Sequence, residues 1–306
     1  MITTRLAISC SSWGVDYVDN PNNPPWESVL DDIQEAGYRF VELGPVGYLP
    51  DDVEALRASL DIRGLRLTNG FVFEPFHDSE QLDRIVEVAR HNAALISGAG
   101  GTHFMLIPSL APDREPLAGN SAAAPRLTPD EHRQMMHALR TVALVARDEF
   151  GLESLVHPHA GTYVEFEDEI DRLMEGIDGS LLNLCLDTGQ ARYGGSDPVA
   201  LYERYADRIP CVHLKDINGE VHTQSVREGV GFIDSVARGV HPPLGTGLVD
   251  FVAFAQALDR HDFDGWATIE HDRDPAAAAS SKDDAIENRE FALRLGFSLD
   301  WDQASA

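Results

Sequence analysis

Cys211-Val212-His213-Leu214-Lys215-Asp216 is the stretch on which the fold turns. The apolar run from Arg208 to Leu214 reads as a buried strand, and its exit carries a histidine, a lysine and an aspartate within four residues. The preceding strand-like run, Leu181-Leu-Asn-Leu-Cys-Leu186, delivers Asp187 in the same way. The run before that, residues 152–157, delivers His157 and, two positions on, His159. Downstream, Trp266-Ala-Thr-Ile-Glu270 ends in Glu270 and His271. Between these runs lie helical patterns over 165–176, from Asp197-Pro198, and from Asp250 to residue 260, with a last helix over 282–295.

The same alternation extends to the amino-terminal half. A strand over 5–10 is followed by a helix over 26–36 with a Gly37 stop, and then by a strand at Phe40-Val41-Glu42-Leu43. Helix 51–62 and strand 65–69 come next, followed by helix 79–97 and strand 102–107. Thr128-Pro129-Asp130-Glu131 starts a helix that runs to about Phe150, with Thr as N-cap, Pro at the first position and Glu three residues after the cap. Eight strand and helix units predict an α/β fold, a (β/α)8 TIM barrel forming a single domain over residues 1–306. No glycine-rich dinucleotide fingerprint follows an early strand, which lowers the competing open doubly wound sheet. Two segments interrupt the alternation: a long connection over 109–127, rich in Pro, Ala and Gly, and an insertion over 219–243 with helical character around 223–237. Loops of this length in a compact domain usually carry function, so both are expected near the catalytic face.

Composition limits what this barrel can do. A net charge of −27 makes the surface repel phosphate backbones and anionic membranes, so neither nucleic acid nor membrane is an expected partner. No apolar run approaches the roughly 18 residues of a membrane span, and the start of the chain lacks the apolar core of a signal peptide, so a cytoplasmic location is expected. Cys10, Cys185 and Cys211 lie in apolar runs without CxxC spacing and read as buried free thiols. Arginine outnumbers lysine 22 to 2, and one of the two lysines is Lys215.

Active sites of this fold collect at the carboxyl ends of the strands. The residues delivered there are Trp13, Glu42, Asn69, His103 early in the fourth strand, His157 with His159, Asp187, His213 with Lys215, and Glu270 with His271. A single strand-end aspartate often caps a loop, and a single buried histidine is usually a core residue. Here each of the last four strands ends in a metal-capable side chain. Nitrogen and oxygen donors without thiolates suit a divalent transition ion and speak against a structural zinc site.

Several segments carry a resemblance in order along the chain: Glu42-Leu-Gly-Pro-Val-Gly-Tyr-Leu-Pro50, Asn69-Gly70-Phe71-Val72 with His77-Asp78, and His157-Pro-His-Ala-Gly-Thr-Tyr-Val-Glu165. Leu186-Asp-Thr-Gly189, Val212-His-Leu-Lys-Asp216, Pro243-Leu-Gly-Thr-Gly-Leu-Val-Asp-Phe251 and Glu270-His-Asp-Arg-Asp-Pro275 continue it. The chain thereby resembles the inosose dehydratase branch of the xylose-isomerase-like barrels, within the sugar phosphate isomerase/epimerase family. The resemblance implies one metal ligand from each of the last four strands, here His157, Asp187, His213 and Glu270. His159 shares strand parity with His157, so either can be the strand-five ligand and the other a substrate contact or acid/base. Mn²⁺ or Co²⁺ is the expected ion, with Fe²⁺, Zn²⁺ or Mg²⁺ also compatible.

The implied chemistry is dehydration of 2-keto-myo-inositol or a similar keto-sugar through an enediolate. Lys215, His159 and Glu42 are the catalytic candidates, as oxyanion stabiliser or base, acid/base, and base. Lys215 has a bland alternative, an ion pair with Asp216. Trp13, Asn69 and Gln190 are the expected substrate contacts. Relatives often carry histidine where Gln190 stands, and glutamine cannot transfer a proton at neutral pH. A metal-dependent isomerase or epimerase working through the same enediolate is the alternative. A small-molecule polyol or keto-sugar is the expected partner, and a homo-oligomer is compatible with the sequence.

Overall fold

Strands and helices alternate from Arg5 to Arg294 around a closed parallel sheet. The structure is a computed structural model and describes residues 4–299, the side chains of 277–279 excepted. The staves are β1 (Arg5–Ser9), β2 (Phe40–Glu42), β3 (Arg66–Leu67 continued by Asn69–Glu74), β4 (His103–Pro108), β5 (Glu153–Val156), β6 (Leu182–Asp187), β7 (Cys211–Leu214) and β8 (Trp266–Ile269). Every pairing is parallel, and β1 pairs with both β2 and β8. The ring closes at Thr68, between the two segments of β3. Its amide donates to the Val41 carbonyl at 3.0 Å, and its own carbonyl accepts the Thr102 amide at 2.9 Å. This is the TIM barrel expected from the alternation.

Alternating side chains sort into two layers. Ala7, Phe40, Met105, Leu155, Cys185, Cys211 and Trp266 point into the barrel, where the Phe40 and Trp266 rings pack edge to face at 4.8 Å. Leu6, Ile8, Val41, Leu106, Val156, Leu184 and Val212 point outward under the helices. Both faces are dry, which is why the strands read as continuous apolar runs. All three cysteines are free and buried.

The outer ring contains α1 (Trp26–Glu35), α2 (Val53–Asp61), α3 (Leu82–Gly98), α4 (Pro129–Phe150), α5 (Glu167–Gly176), α6 (Thr188–Tyr193), α7 (Pro198–Tyr205), α8 (Gly219–Glu228), α9 (Phe232–Ala237), α10 (Phe251–Arg260) and α11 (Ser281–Arg294). The Thr128 side chain and Glu131 form the expected reciprocal cap on α4, which stops at Gly151 with φ +69°. The short α6 is an addition to the sequence reading. The insertion over 219–243 holds two helices, α8 and α9, broken at Gly229 with φ +65°.

The third stave is also longer than read. Asn69 opens its second segment, and the strand continues to Glu74, so Phe71, Phe73 and Glu74 reach the mouth in place of Asn69. The connection over 109–127 packs beside the exit of β5. Its anchor is Arg114, fully buried, which donates to Glu169 and to the Pro125 carbonyl, both at 2.7 Å. No helix among the described residues is long and apolar enough to cross a membrane.

Candidate metal centre and substrate cavity

Inward parity carries each stave from the barrel core to the mouth. Leu155 leads to His157, Cys185 to Asp187, Cys211 to His213, and Trp266 through Thr268 to Glu270. Asp187 and His213 are direct cross-strand partners, so their side chains meet. His157, Asp187, His213 and Glu270 each bring a donor atom to within 4.8 Å of the others. His157 Nε2 lies 3.7 Å from Asp187 Oδ2, and His213 Nδ1 lies 4.0 Å from the same oxygen and 2.8 Å from Glu270 Oε2. Donors on a tetrahedral ion at about 2.1 Å stand roughly 3.4 Å apart, so this spacing suits one small cation. Both His157 nitrogens are buried without a hydrogen-bond partner, a costly arrangement that a cation would relieve. The residues therefore fit a divalent ion. His159 lies outside the four-donor group, its ring 6.1 Å from that of His157.

Asp187 serves two ends of its carboxylate differently. Oδ1 caps α6, accepting the Gly189 and Gln190 amides at 2.7 and 2.8 Å, while Oδ2 faces the other donors. Glu42 and Glu270 flank the two ring nitrogens of His213, Glu42 Oε2 standing 3.2 Å from Nε2. Glu42 therefore stands beside the histidine nitrogen that faces away from Glu270, although the 3.2 Å approach does not have the geometry of a hydrogen bond. Ser11 donates to Glu270 Oε1 at 3.1 Å, and the Ser12 hydroxyl accepts the His271 amide at 3.2 Å.

Lys215 is buried beside this set. Its Nζ lies 3.1 Å from Asp187 Oδ2, 3.0 Å from Glu270 Oε2 and 2.6 Å from Asp272 Oδ2. Burial works against the charge, but Asp187, Asp272 and Glu270 outweigh it and hold the ammonium pKa well above its ordinary value. The bland expectation of a Lys215–Asp216 ion pair fails. Asp216 turns instead to the amides of Gly245, Gly247 and Val249 at 2.8–3.0 Å. This explains Gly247, since a Cβ there would stand 2.5 Å from Asp216 Oδ1. Thr188 locks the neighbouring strand exits together, donating to the Lys215 carbonyl at 2.8 Å and accepting its amide at 3.0 Å.

His159 points into the cavity between the edges of Phe73 and Phe232, at ring distances of 5.9 and 4.8 Å. Its Nδ1 is 2.9 Å from the Ala160 carbonyl, which can only accept, so that nitrogen carries the proton and Nε2 keeps its lone pair. Burial first, then the Lys215 charge, pushes its pKa down to about 3, so the ring is neutral.

Three expected substrate contacts lie elsewhere. Trp13 ends the 3-10 turn Cys10–Trp13 that follows β1. That turn swings its indole into the outer core, where Nε1 donates to Asp32 at 3.1 Å. Asn69 is buried inside the barrel, with Nδ2 3.8 Å from the Cys211 sulfur, because β3 runs on past it. Gln190 lies behind the β5 exit, where its Oε1 accepts the Ala160 amide at 2.9 Å. It braces the turn that presents His159.

The cavity above the donor set measures about 1110 Å³. Phe71, Phe73 and Ile107 form one wall, and Phe232, Ile233 and Val236 of the insertion extend it. Asp16, Glu270 and Asp272 form the opposite side. The sequence reading missed Asp16, Ser11 and Asp272. Only Asp272 carried a signal, since it lies two residues beyond Glu270. A second cavity of about 740 Å³, lined by Arg39, Arg63 and Arg66, sits at the amino-terminal end of the strands, away from the donors.

A family model described as xylose isomerase-like TIM barrel matches residues 30–294. The chain is 34% identical over 284 residues to an inosose dehydratase of Geobacillus kaustophilus, covering 90% of this chain and 89% of that one. Among solved structures, it is similar to a zinc-bound IolI protein, with a TM-score of 0.70 at 12% identity over 95% of this chain and 98% of that one. It is also similar to a D-allulose 3-epimerase from Methylomonas sp., with a TM-score of 0.67 at 18% identity over 96% and 98%.

Proposed function

The chain belongs to the xylose isomerase-like TIM barrel family, on its inosose dehydratase branch, and from that premise we propose that it removes water from 2-keto-myo-inositol or a similar keto-sugar. The observation that carries this reading is one barrel mouth that unites a four-donor set with a neutral imidazole, in a chain similar to an inosose dehydratase over most of its length. His157, Asp187, His213 and Glu270 are the ligands in this reading, and Mn²⁺ or Co²⁺ is the preferred ion. Zinc is what the IolI protein of similar fold holds. When bound, the ion supplies Lewis acidity toward the ketone and its neighbouring hydroxyl.

The chain's own residues do the rest. His159 Nε2 is the base that takes the proton α to the ketone, since its lone pair faces the cavity and its other nitrogen is fixed on Ala160. Lys215 stays an ammonium and opposes the negative charge that develops on the enediolate oxygens. Glu42 acts through His213 as a positioning residue. The apolar wall excludes water and packs against the C–H faces of a polyol ring.

The test is to incubate metal-loaded protein with 2-keto-myo-inositol and follow the absorbing dione product. No dione, together with turnover of a ketohexose, would replace this reading with an isomerase or epimerase acting through the same enediolate. The fold likeness to a D-allulose 3-epimerase favours that second reading. Against it stands His157, a histidine where the resemblance implies that epimerases carry an acidic ligand.

A further inference from the structure

Dehydration needs a proton for the departing hydroxyl as well as a base. The segment after β1 offers a group. Ser11 and Ser12 tie it to the exit of β8, and Gly14, with φ +79°, presses on the backbone beyond. A Cβ on Gly14 would stand 2.6 Å from Pro275 Cα and 2.9 Å from the Arg273 carbonyl oxygen. Val15 is then buried, and Asp16 follows, half-buried and lining the cavity.

The other acids of the inner cavity are engaged. Glu42 stands at His213, Glu74 holds Arg84, Glu270 meets Lys215 and His213, and Asp272 holds Lys215. Among the described residues no hydrogen bond or ion pair ties up the Asp16 carboxyl. Its position is also distinct. β1 and β5 stand four staves apart across the closed ring, and the segments that follow them bring Asp16 and His159 to the same cavity.

On the dehydratase reading, the geometry points to Asp16 as the catalytic acid that protonates the departing β-hydroxyl while His159 takes the α-proton. The α C–H bond breaks, its proton goes to His159 Nε2, and its electron pair forms the enediolate double bond as the carbonyl π pair moves onto oxygen. The oxygen pair then re-forms the carbonyl, and the enediolate pair shifts to the new C=C bond as the β C–O bond breaks. The Asp16 O–H bond breaks as its proton joins the departing oxygen, and water leaves. His159 ends as imidazolium and Asp16 as carboxylate. Both reset by proton exchange with solvent. The electrostatic surroundings agree: burial, then Asp272 and Glu270, outweigh Lys215 and push the Asp16 carboxyl well above its ordinary range.

The experiment compares wild type and Asp16→Asn, both metal-loaded and checked for equal metal content and melting temperature. Three rates are followed: exchange of the substrate α-proton in D₂O, dione formation from 2-keto-myo-inositol, and fluoride release from the analogue bearing fluorine in place of the β-hydroxyl. Fluoride leaves without a proton. The assignment predicts that D16N lowers dione formation by about 10²–10⁴-fold, while α-proton exchange and fluoride release stay within a few-fold of wild type. Unchanged dione formation overturns the assignment. An equal fall in all three rates also overturns it, because Asp16 would then act in binding or in proton removal. Wild-type protein that exchanges the α-proton but never yields dione overturns the dehydratase reading itself.

Discussion

The Lys215 side chain runs directly over Gly189: a Cβ on that glycine would stand 2.5 Å from Lys215 Cγ and 2.8 Å from its Cβ. The close approach is what lets the ammonium reach Asp187, Glu270 and Asp272 at once. Gly189→Ala improves helix propensity in α6 by about 1 kcal/mol. The clash is with a fully buried stem, so overpacking at about 1–3 kcal/mol wins. The expected outcome is a lower denaturation midpoint and at least about tenfold slower turnover, since loss of a pre-organised charge commonly costs more than that. A G189A protein as active as wild type would show that Lys215 does not need this position.

Asp187 gives one oxygen to a helix cap and one to the donor set, and two substitutions separate these roles. Asp187→Asn keeps an oxygen for the cap but loses the ligand charge. Asp187→Ala loses both, at a further cost of about 1 kcal/mol in stability. Both variants, and His213→Ala, are expected to purify folded and without stoichiometric metal. Elemental analysis showing full occupancy in D187A and H213A would remove these residues from the ligand set.

Glu42 was expected to act as a base, and its place beside His213 Nε2 supports an orienting part as the reading to test against it. Glu42→Ala should then weaken metal affinity by about 10–100-fold, and Glu42→Gln, which still accepts a hydrogen bond, by less. A base would behave otherwise. Both variants would bind metal normally and lose α-proton exchange alike, so titration with a metal-sensitive dye alongside the exchange rate distinguishes the two.

Strand parity is what made the donors legible. Cys211, His213 and Lys215 alternate with outward Val212 and Leu214, and the same period leads from Cys185 to Asp187 and from Trp266 to Glu270. The rule failed where the backbone left the strand or stayed in it unexpectedly. After Ser9 the chain turns into a 3-10 helix, so Trp13 swings outward. At Asn69 a polar residue inside the barrel looked like a strand exit, although the strand continues to Glu74. Asp16 had no local signal, because contact between Gly14 and the 273–275 backbone, some 260 residues away in sequence, places it.

The connection over 109–127 is held by charges buried as deeply as any in the molecule. Arg114 lies 4.9 Å from the Phe166 ring and pairs with Glu169 at 2.7 Å and Glu165 at 3.4 Å. Glu165 in turn accepts the Gly119 amide at 2.6 Å and the Gly161 amide at 3.0 Å. Arg114→Met takes the cation from buried Glu165, while Glu169 keeps Arg126, and should cost about 3–5 kcal/mol. Burial pushes Glu165 up to about 7, in spite of the two amides and Arg114, from an ordinary value of 4.5. Between these values the folded protein holds a proton that the unfolded chain has lost. The group's contribution to stability therefore grows as the pH falls from about 7 toward about 4.5 and is lost as the pH rises through 7. Melting temperatures taken from about pH 5 to about pH 8 should show wild type gaining on acidification relative to Glu165→Gln, whose neutral amide does not titrate. Parallel curves for the two proteins would mean that Glu165 is ionised throughout and that the Arg114 pair, not burial, sets its state.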